Sequence, residues 1–166
     1  MRIIVLDTNI YGWYLAYTLK GSRQLQAIDA FILISKLIED RIKGKHQITI
    51  LATDRIIKEI TAAKNPNLET IVYSLISGVI KSKKEIDTLT YDYLLKARKL
   101  KLRVDKEDCE IIAAATISRT RWFVTENRLT INNPRFKMVI EEANNKKKLP
   151  IPKILNSKEA NDELLV

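Results

Sequence analysis

An aspartate ends the first apolar run of the chain, in the stretch "MRIIVLDTNIYGW". Asp7 is followed by Thr8 and Asn9, and all three side chains accept hydrogen bonds from the free N–H groups that open a helix. The same position is where a buried strand meets solvent, and α/β folds carry their reactive groups at the carboxyl ends of such strands. The stretch is therefore consistent with a helix cap, with a reactive carboxylate, or with both.

Two more acids fall at comparable places in the predicted elements. Glu59 lies in the helix that follows the second predicted strand, on the border of the apolar stripe of that helix. Asp108 lies in the first turn of an Ala- and Ile-rich helix. It shares the apolar face of that helix, because Ile111, Ile112 and Ala115 follow at the spacing of one helical face. Each acid alone also has an ordinary structural interpretation, such as a surface glutamate or a carboxylate complementing a helix dipole.

Carboxylates that converge without a cation repel one another and take up protons, and a hard divalent cation removes that conflict. All-oxygen ligands suit Mg²⁺ or Mn²⁺ better than zinc. His46 is the only histidine and Cys109 the only cysteine, so a zinc site or a His-dependent nucleophile has few residues to draw on. The sequence also lacks G-x-x-x-x-G-K-[ST] and G-x-G-x-x-G phosphate loops.

Apolar periodicity predicts strands alternating with helices, which is typical of a parallel sheet covered on both faces. Strands are predicted at 2–6, 46–51, 86–90, 121–125 and 136–140. Helices are predicted at 9–20, 24–43, 53–64, 68–83, 91–101 and 105–119. We expect one domain over 1–145 and a basic C-terminal tail over 146–166 that forms an appendage to it.

The composition bears on partners and location. The net charge of +9 favours phosphate-rich partners, although a lysine-rich solvated surface gives the same value. The most apolar later stretch is broken by Asp29 and Lys36, so no membrane span is expected. One cysteine and no visible targeting segment predict a cytoplasmic protein.

Four motifs in order resemble a PIN domain over roughly residues 1–140. They are "VLDTN" at 5–9, Glu59 within "RIIKEI", "DCEIIAAAT" at 108–116 and "FVTENR" at 123–128. The resemblance implies a single-domain, three-layer α/β/α sandwich with a central parallel sheet. It also implies a Mg²⁺- or Mn²⁺-dependent nuclease that usually acts on RNA. Many small members of this family are VapC-type toxins that a cognate antitoxin protein holds inactive.

The resemblance assigns roles to residues at the matching positions. Asp7, Glu59 and Asp108 would be the catalytic, metal-binding acids. Asn9 and Thr125 would orient that site through hydrogen bonds.

The "FVTENR" motif departs from the commonest family pattern. Asn127 stands where many members carry a fourth acid, so one well-bound metal is expected unless Glu126 replaces the missing carboxylate. Arg128 and Arg55 are the candidates for holding the substrate backbone.

Two other functions stay open at this point. The domain could bind RNA or a protein without cutting, or it could be an RNA-processing nuclease that is not a toxin. The aromatic side chains of the first helices predict either a surface for an antitoxin or a homodimer, or simply core packing; they are Trp13, Tyr14, Tyr17 and Phe31.

Overall fold

A parallel β-sheet forms the centre of the protein. The structure, a computed structural model, describes residues 2–44 and 48–164, and within them the sheet has five strands. These are β1 (Arg2–Leu6), β2 (Ile48–Thr53), β3 (Gly78–Ile80), β4 (Trp122–Val124) and β5 (Lys153–Leu155). Their order is β3-β2-β1-β4-β5, and all neighbours are parallel.

The strand at the centre is the first one in the chain. In β1, Ile4 pairs with Ile50 of β2 and with Trp122 of β4. Ile4, Val5 and Leu6 are all fully buried. Since successive side chains of a strand point to opposite faces, this unbroken burial means that both faces of the sheet are covered.

Helices cover the sheet and connect its strands. They are α1 (Thr8–Lys20), α2 (Leu25–Ile42), α3 (Asp54–Ala63), α4 (Pro66–Leu75), α5 (Lys84–Lys99), α6 (Lys106–Ile117), α7 (Pro134–Lys147) and α8 (Ser157–Leu164). In one group, α2 packs on both α1 and α8. In another group, α5 packs on both α6 and α7. The predicted α/β sandwich with a parallel sheet is confirmed.

The predicted helix over 68–83 is wrong in its second half. Helix α4 begins after the Asn65 cap with Pro66 in its first turn, and it ends at Leu75. The chain then joins the sheet, because the backbone N–H of Ser77 donates to Ile50 O at 2.7 Å and Gly78 opens β3. The apolar run of α4 continues into β3, interrupted only by Ser77 and Gly78, so the whole run was assigned to the helix.

Two predicted strands, at 86–90 and 136–140, are helical. Residues 86–90 lie in α5, whose buried positions include Ile86, Leu89 and Tyr93. Residues 136–140 lie in α7, which opens with the Asn133 cap and Pro134. In both segments the buried apolar residues recur three and four positions apart, and this tertiary burial outweighs the local preference of β-branched residues for strands.

The C-terminal segment is built into the fold and is not an appendage. The predicted boundary at 145 falls inside α7, and β5 forms an edge of the sheet by pairing with β4. Helix α8 packs on α2, where Asn161 Nδ2 donates to Asp29 O at 3.0 Å. The prolines at 150 and 152 and the shortness of β5 hid this strand in the sequence.

Smaller differences concern the second strand and the aromatic residues. Strand β2 runs from Ile48, and residues 46 and 47 of the predicted strand lie outside the described residues. Phe31 of α2 stacks on Tyr14 and Tyr17 of α1, with ring centroids 6.0 and 4.3 Å apart. These rings therefore hold α1 against α2. Among the described residues, no helix is long and apolar enough to cross a membrane.

A buried polar cluster joins α5, α6 and α7. Tyr93 Oη donates to Asn144 Oδ1 at 2.6 Å and lies 3.1 Å from Thr116 Oγ1. Asn144 Nδ2 donates to Pro150 O at 2.9 Å, which fixes the turn leading into β5. Asn144 is fully buried, so each of these groups depends on the others for its hydrogen bonds.

We expect Asn144→Ala to lower the free energy of unfolding by about 2–4 kcal/mol, because it leaves buried polar groups unpaired as well as a cavity. Urea denaturation checks this. Asn145→Ala, at the exposed neighbouring position, should change the free energy of unfolding by less than about 0.5 kcal/mol. Equal effects at the two positions would show that the cluster is not a stabilising unit.

Candidate active site

Asp7 lies between the end of β1 and the start of α1. Its backbone N–H still follows the sheet and donates to Val124 O at 2.9 Å. Its side chain caps α1, with Oδ1 accepting from Thr8 N at 2.8 Å. The residue is only 6% exposed, so the carboxylate is both a helix cap and a buried charge at the carboxyl edge of the sheet.

The other carboxylate oxygen of Asp7 is held from two sides. Thr125, which follows β4, donates its hydroxyl to Asp7 Oδ2 at 2.6 Å. Asn9 Nδ2 donates to the same oxygen at 2.8 Å, and Asn9 Oδ1 accepts from Glu126 N at 3.1 Å. The structure therefore brings Asn9 and Thr125 onto the carboxylate of Asp7.

Glu59 and Asp108 reach the same region from two helices. Thr8 Oγ1 donates to Glu59 Oε2 at 2.7 Å, which ties α3 to the first turn of α1. Asp108 lies in the first turn of α6, where its backbone N–H donates to the capping side chain of Asp105 at 2.8 Å. The three acids expected at the site thus come from three different elements.

Burial, and to a smaller extent repulsion between charges, makes the carboxyl groups of Asp7 and Asp108 hard to ionise. Burial raises the pKa of Asp7 to about 6; the Thr125 hydrogen bond opposes the rise, and the charges of Glu59 and Asp108 add to it. Burial likewise raises the pKa of Asp108 to about 6, with repulsion from Asp105 and Glu59 adding to the effect. The acids are close enough to interact, as expected of a site that holds a cation.

The donor chemistry of this site fits a hard divalent cation. The three acids offer carboxylate oxygens, which are the ligands that such a cation prefers. A bound cation would also relieve the repulsion that contributes to the raised pKa values of Asp7 and Asp108. Among the described residues, however, no three His, Cys, Asp or Glu side chains are grouped as a ready-made metal cluster. Glu59 is instead held by Thr8 and by Arg55.

Glu126, which the sequence analysis considered as a substitute for a fourth acid, bonds through its carboxylate to the start of α8. Its Oε1 accepts from Ser157 N at 2.8 Å and from the Ser157 hydroxyl, at the first residue of α8. Asn127 holds the loop itself: its N–H donates to Thr125 Oγ1 at 3.0 Å, and its Oδ1 accepts from Thr130 N at 3.2 Å.

The two predicted substrate-binding arginines differ in their surroundings. Arg55 makes ion pairs, with Nη2 3.0 Å from Glu107 Oε1 and Nε 3.8 Å from Glu59 Oε1. It therefore links α3 to α6 and restrains Glu59. Arg128 is exposed on the loop after β4.

Two threonines make side-chain contacts with the acids that the sequence analysis did not predict. Thr8 was considered only as a cap, yet its hydroxyl reaches Glu59. The hydroxyl of Thr130 is buried beside Asp108 and lowers the pKa of that carboxyl, although it is not within regular hydrogen-bond geometry. The position of Thr8 inside "VLDTN" was a usable signal, whereas Thr130 lies in a loop without any pattern.

We expect Asp108→Asn to raise the free energy of unfolding at pH 7.5 by about 1–2 kcal/mol, a value reduced for the partial exposure of this side chain. The pKa of Asp108 is raised on folding, so ionisation costs stability once the pH exceeds the unfolded value of 3.8, and the full cost is reached above about 6. The gain should therefore vanish near pH 4. Urea denaturation between pH 4 and 7.5 checks this.

Glu110→Gln, on the same helix, is the matched control and should not reproduce this pH-dependent gain. A constant effect of Asp108→Asn at all pH values would contradict an ionisation cost at this position.

Comparisons with solved structures identify the fold. The chain superposes on a chain of VapBC2 from Rickettsia felis bound to a DNA fragment from their promoter, with a TM-score of 0.57, 16% identity, and coverage of 93% of this chain and 98% of that one. The chain superposes on a chain of VapBC-1 from nontypeable Haemophilus influenzae with a TM-score of 0.55 and 14% identity, covering 94% of this chain and 98% of that one. On a chain of FitAcB from Neisseria gonorrhoeae it superposes with a TM-score of 0.55 and 12% identity, covering 93% of this chain and 97% of that one.

No protein-family model and no curated protein matches the sequence. The likeness thus rests on three-dimensional structure over nearly the whole chain. The resemblance that the four motifs indicated is confirmed at the level of the fold, and the chain has a VapC-like PIN-domain fold.

Proposed function

We propose that the protein is a divalent-metal-dependent endoribonuclease and the toxin of a toxin–antitoxin pair. The observation that carries this proposal is the Asp7 carboxylate, whose pKa is raised to about 6 by burial and, to a smaller extent, by the charges of Glu59 and Asp108. Hydrogen bonds compensate only part of the cost of this acidic cluster, and a bound cation would offset the rest. The net charge of +9 supports a polyanionic substrate for a protein whose candidate site is itself acidic.

The residues of the site have distinct tasks in this mechanism. Asp7 and Asp108 would hold the ion, which when bound lowers the pKa of a water molecule and offsets charge on the phosphate. Thr125 and Asn9 fix the orientation of Asp7 by donating to its Oδ2. Glu59, which accepts a hydrogen bond from Thr8, would share in holding the ion or accept the proton of the attacking water.

The toxin assignment draws on the proteins that share the fold. The comparison structures reported above are VapBC2, VapBC-1 and FitAcB, and VapBC2 is bound to a DNA fragment from their promoter. By analogy we propose a small antitoxin protein as the partner of this chain. Co-expression with the protein encoded beside it should give a complex whose ribonuclease activity is low and returns when that partner is removed.

The central prediction concerns cleavage of RNA. Purified protein should cleave a labelled mixed-sequence RNA with Mg²⁺ or Mn²⁺ and leave it intact in EDTA. Asp7→Asn should reduce the cleavage rate by about 10²–10³-fold, since it removes a charged ligand from the centre of the site. Gel electrophoresis of the RNA measures the rate.

Asp87→Asn, at an exposed position of α5, is the matched control and should cleave like the wild type. Equal cleavage by Asp7→Asn and wild type would exclude this mechanism. RNA that is bound but left intact with either metal would instead identify a binding module.

A further inference from the structure

The amino ends of three neighbouring strands carry arginine and lysine side chains. Arg2 opens β1, Arg121 directly precedes β4, and Lys153 opens β5. The backbone places them side by side, because Arg121 N donates to Ile3 O at 2.9 Å and Lys153 N donates to Arg121 O at 2.9 Å. Neighbouring strands lie about 4.8 Å apart, so the three residues fall within about 10 Å across the sheet. Together with the exposed Arg119, they form the basic edge of the sheet.

Two of these arginines lie on one aromatic ring. The Cζ atom of Arg121 is 4.7 Å from the centroid of the Trp122 ring, and that of Arg2 is 6.0 Å from it. Trp122 is buried, so its ring supports the guanidinium groups and offers no stacking surface to a base. A guanidinium group that lies on a ring keeps N–H donors at its rim and loses little freedom when it binds an anion.

An acid at this edge is already bonded. Glu163 Oε1 accepts from Trp122 Nε1 at 2.7 Å, and Glu163 Oε2 pairs with Lys153. Hydrogen bonds from Lys153 and Trp122, with the charges of Lys153 and Arg121, hold the pKa of Glu163 below its usual value. Glu163 therefore compensates the charge of Lys153 and stays ionised, but it makes no ion pair with an arginine among the described residues.

Three arginines of the basic edge have no acidic partner. Arg2, Arg119 and Arg121 are exposed, and none of them forms an ion pair within residues 2–44 and 48–164. Arg2 and Asp7 lie at opposite ends of β1, about 16 Å apart at about 3.3 Å per residue. The sheet thus separates a basic edge from the acids of the candidate site.

We propose that the basic edge, formed by Arg2, Arg119, Arg121 and Lys153, binds the phosphate backbone of RNA at a distance from the acids. The proposal rests on the ribonuclease function above and adds a second contact surface for that substrate. Three carboxylates repel a polyanion, so the attraction for RNA has to come from positive charge elsewhere on the protein. RNA carries a charge at every nucleotide and can contact several of these cations in succession, whereas a peptide needs an unbroken run of acids to do so.

The separation of the two edges makes the effect depend on the length of the RNA. Helices cover both faces of the sheet, so the path from Asp7 to Arg2 over the surface is longer than the strand between them. A trinucleotide is too short to contact both. An RNA of thirty nucleotides is long enough to pass around a domain whose radius of gyration is about 15 Å.

Fluorescence anisotropy in EDTA measures binding apart from cleavage. A labelled thirty-nucleotide RNA of mixed sequence is titrated with the wild type, with Arg2→Gln/Arg121→Gln, and with Arg2→Lys/Arg121→Lys, which keeps both charges. The matched control is Lys20→Gln/Lys64→Asn, which removes two exposed lysines from the ends of α1 and α3. Asparagine tolerates the left-handed backbone at Lys64, where φ is 49°. Circular dichroism and urea denaturation verify that each variant is folded.

We expect Arg2→Gln/Arg121→Gln to raise the Kd for this RNA about tenfold. The slope of log Kd against log salt should fall by about 1.4, since each lost phosphate contact contributes about 0.7 on a single strand. Arg2→Lys/Arg121→Lys should stay within about threefold of the wild type, because it keeps the charges and loses only the guanidinium fork. The control should change the Kd less than about twofold. With Mg²⁺ or Mn²⁺, the glutamine pair should raise KM for the long RNA and leave cleavage of a trinucleotide unchanged.

Three binding results would overturn the proposal. Equal losses for the glutamine pair and the control would show that only total charge matters. Equal losses for the glutamine and lysine pairs would show that the arginines act by covering Trp122. Displacement of the RNA by polyglutamate as efficiently as by unlabelled RNA would identify a surface for an acidic protein segment.

Cleavage is scored separately on the same preparations. Metal-dependent cleavage of the long RNA that is the same in the wild type and the glutamine pair removes the basic edge and keeps the nuclease. Binding that depends on the two arginines without any cleavage removes the nuclease and keeps the basic edge.

Discussion

The carboxyl ends of β1 and β4 must meet for the candidate site to exist. Asp7 and Thr125 are 118 residues apart in sequence, yet the Thr125 hydroxyl lies 2.6 Å from Asp7 Oδ2. The contact is fixed by the sheet, because Asp7 N also donates to Val124 O in register with the parallel pair. Asn9, Glu126 and Asn127 then attach to this junction through hydrogen bonds of their own. A shift in register between the two strands would separate all of them.

This junction places polar groups where the core would otherwise continue. Asp7 follows three fully buried apolar residues and is itself 6% exposed. The hydrogen bonds from Thr8, Asn9 and Thr125 compensate part of the cost of burying its charge, but its pKa remains raised. Stability is thus lowered at the place where chemistry is proposed, and the apolar sheet and the satisfied Tyr93–Asn144 cluster lie elsewhere in the fold.

The sequence predicted the parts of the fold that have strong local signals. Strand β1 and helix α6 were recognised because an unbroken apolar run and a long Ala-rich helix each have one interpretation. Strand β4 was predicted although it has only three residues, whereas β3 continues the apolar run of α4 and β5 follows two prolines, so neither of these two strands stood out from its surroundings. Helices α5 and α7 were broken into strands because β-branched runs resemble strands until the burial of a whole face is known. At the site, the motifs singled out Asp7, Asn9 and Thr125. The contact of Glu126 with the first N–H of α8 could not be predicted, because no local pattern connects two residues that are 31 positions apart.

The contact between Glu126 and Ser157 has a consequence for synthesis on the ribosome. The loop after β4 is translated 31 residues before the helix whose first N–H it accepts. At about 5–20 residues per second, that interval lasts about 2–6 s. During this interval, a nascent chain has β1 and β4 available for pairing, but the loop after β4 lacks the hydrogen bonds that the start of α8 provides. The loop therefore gains this one anchor only after residues 157–164 have been synthesised, so the Glu126–Ser157 contact forms late in the production of each molecule.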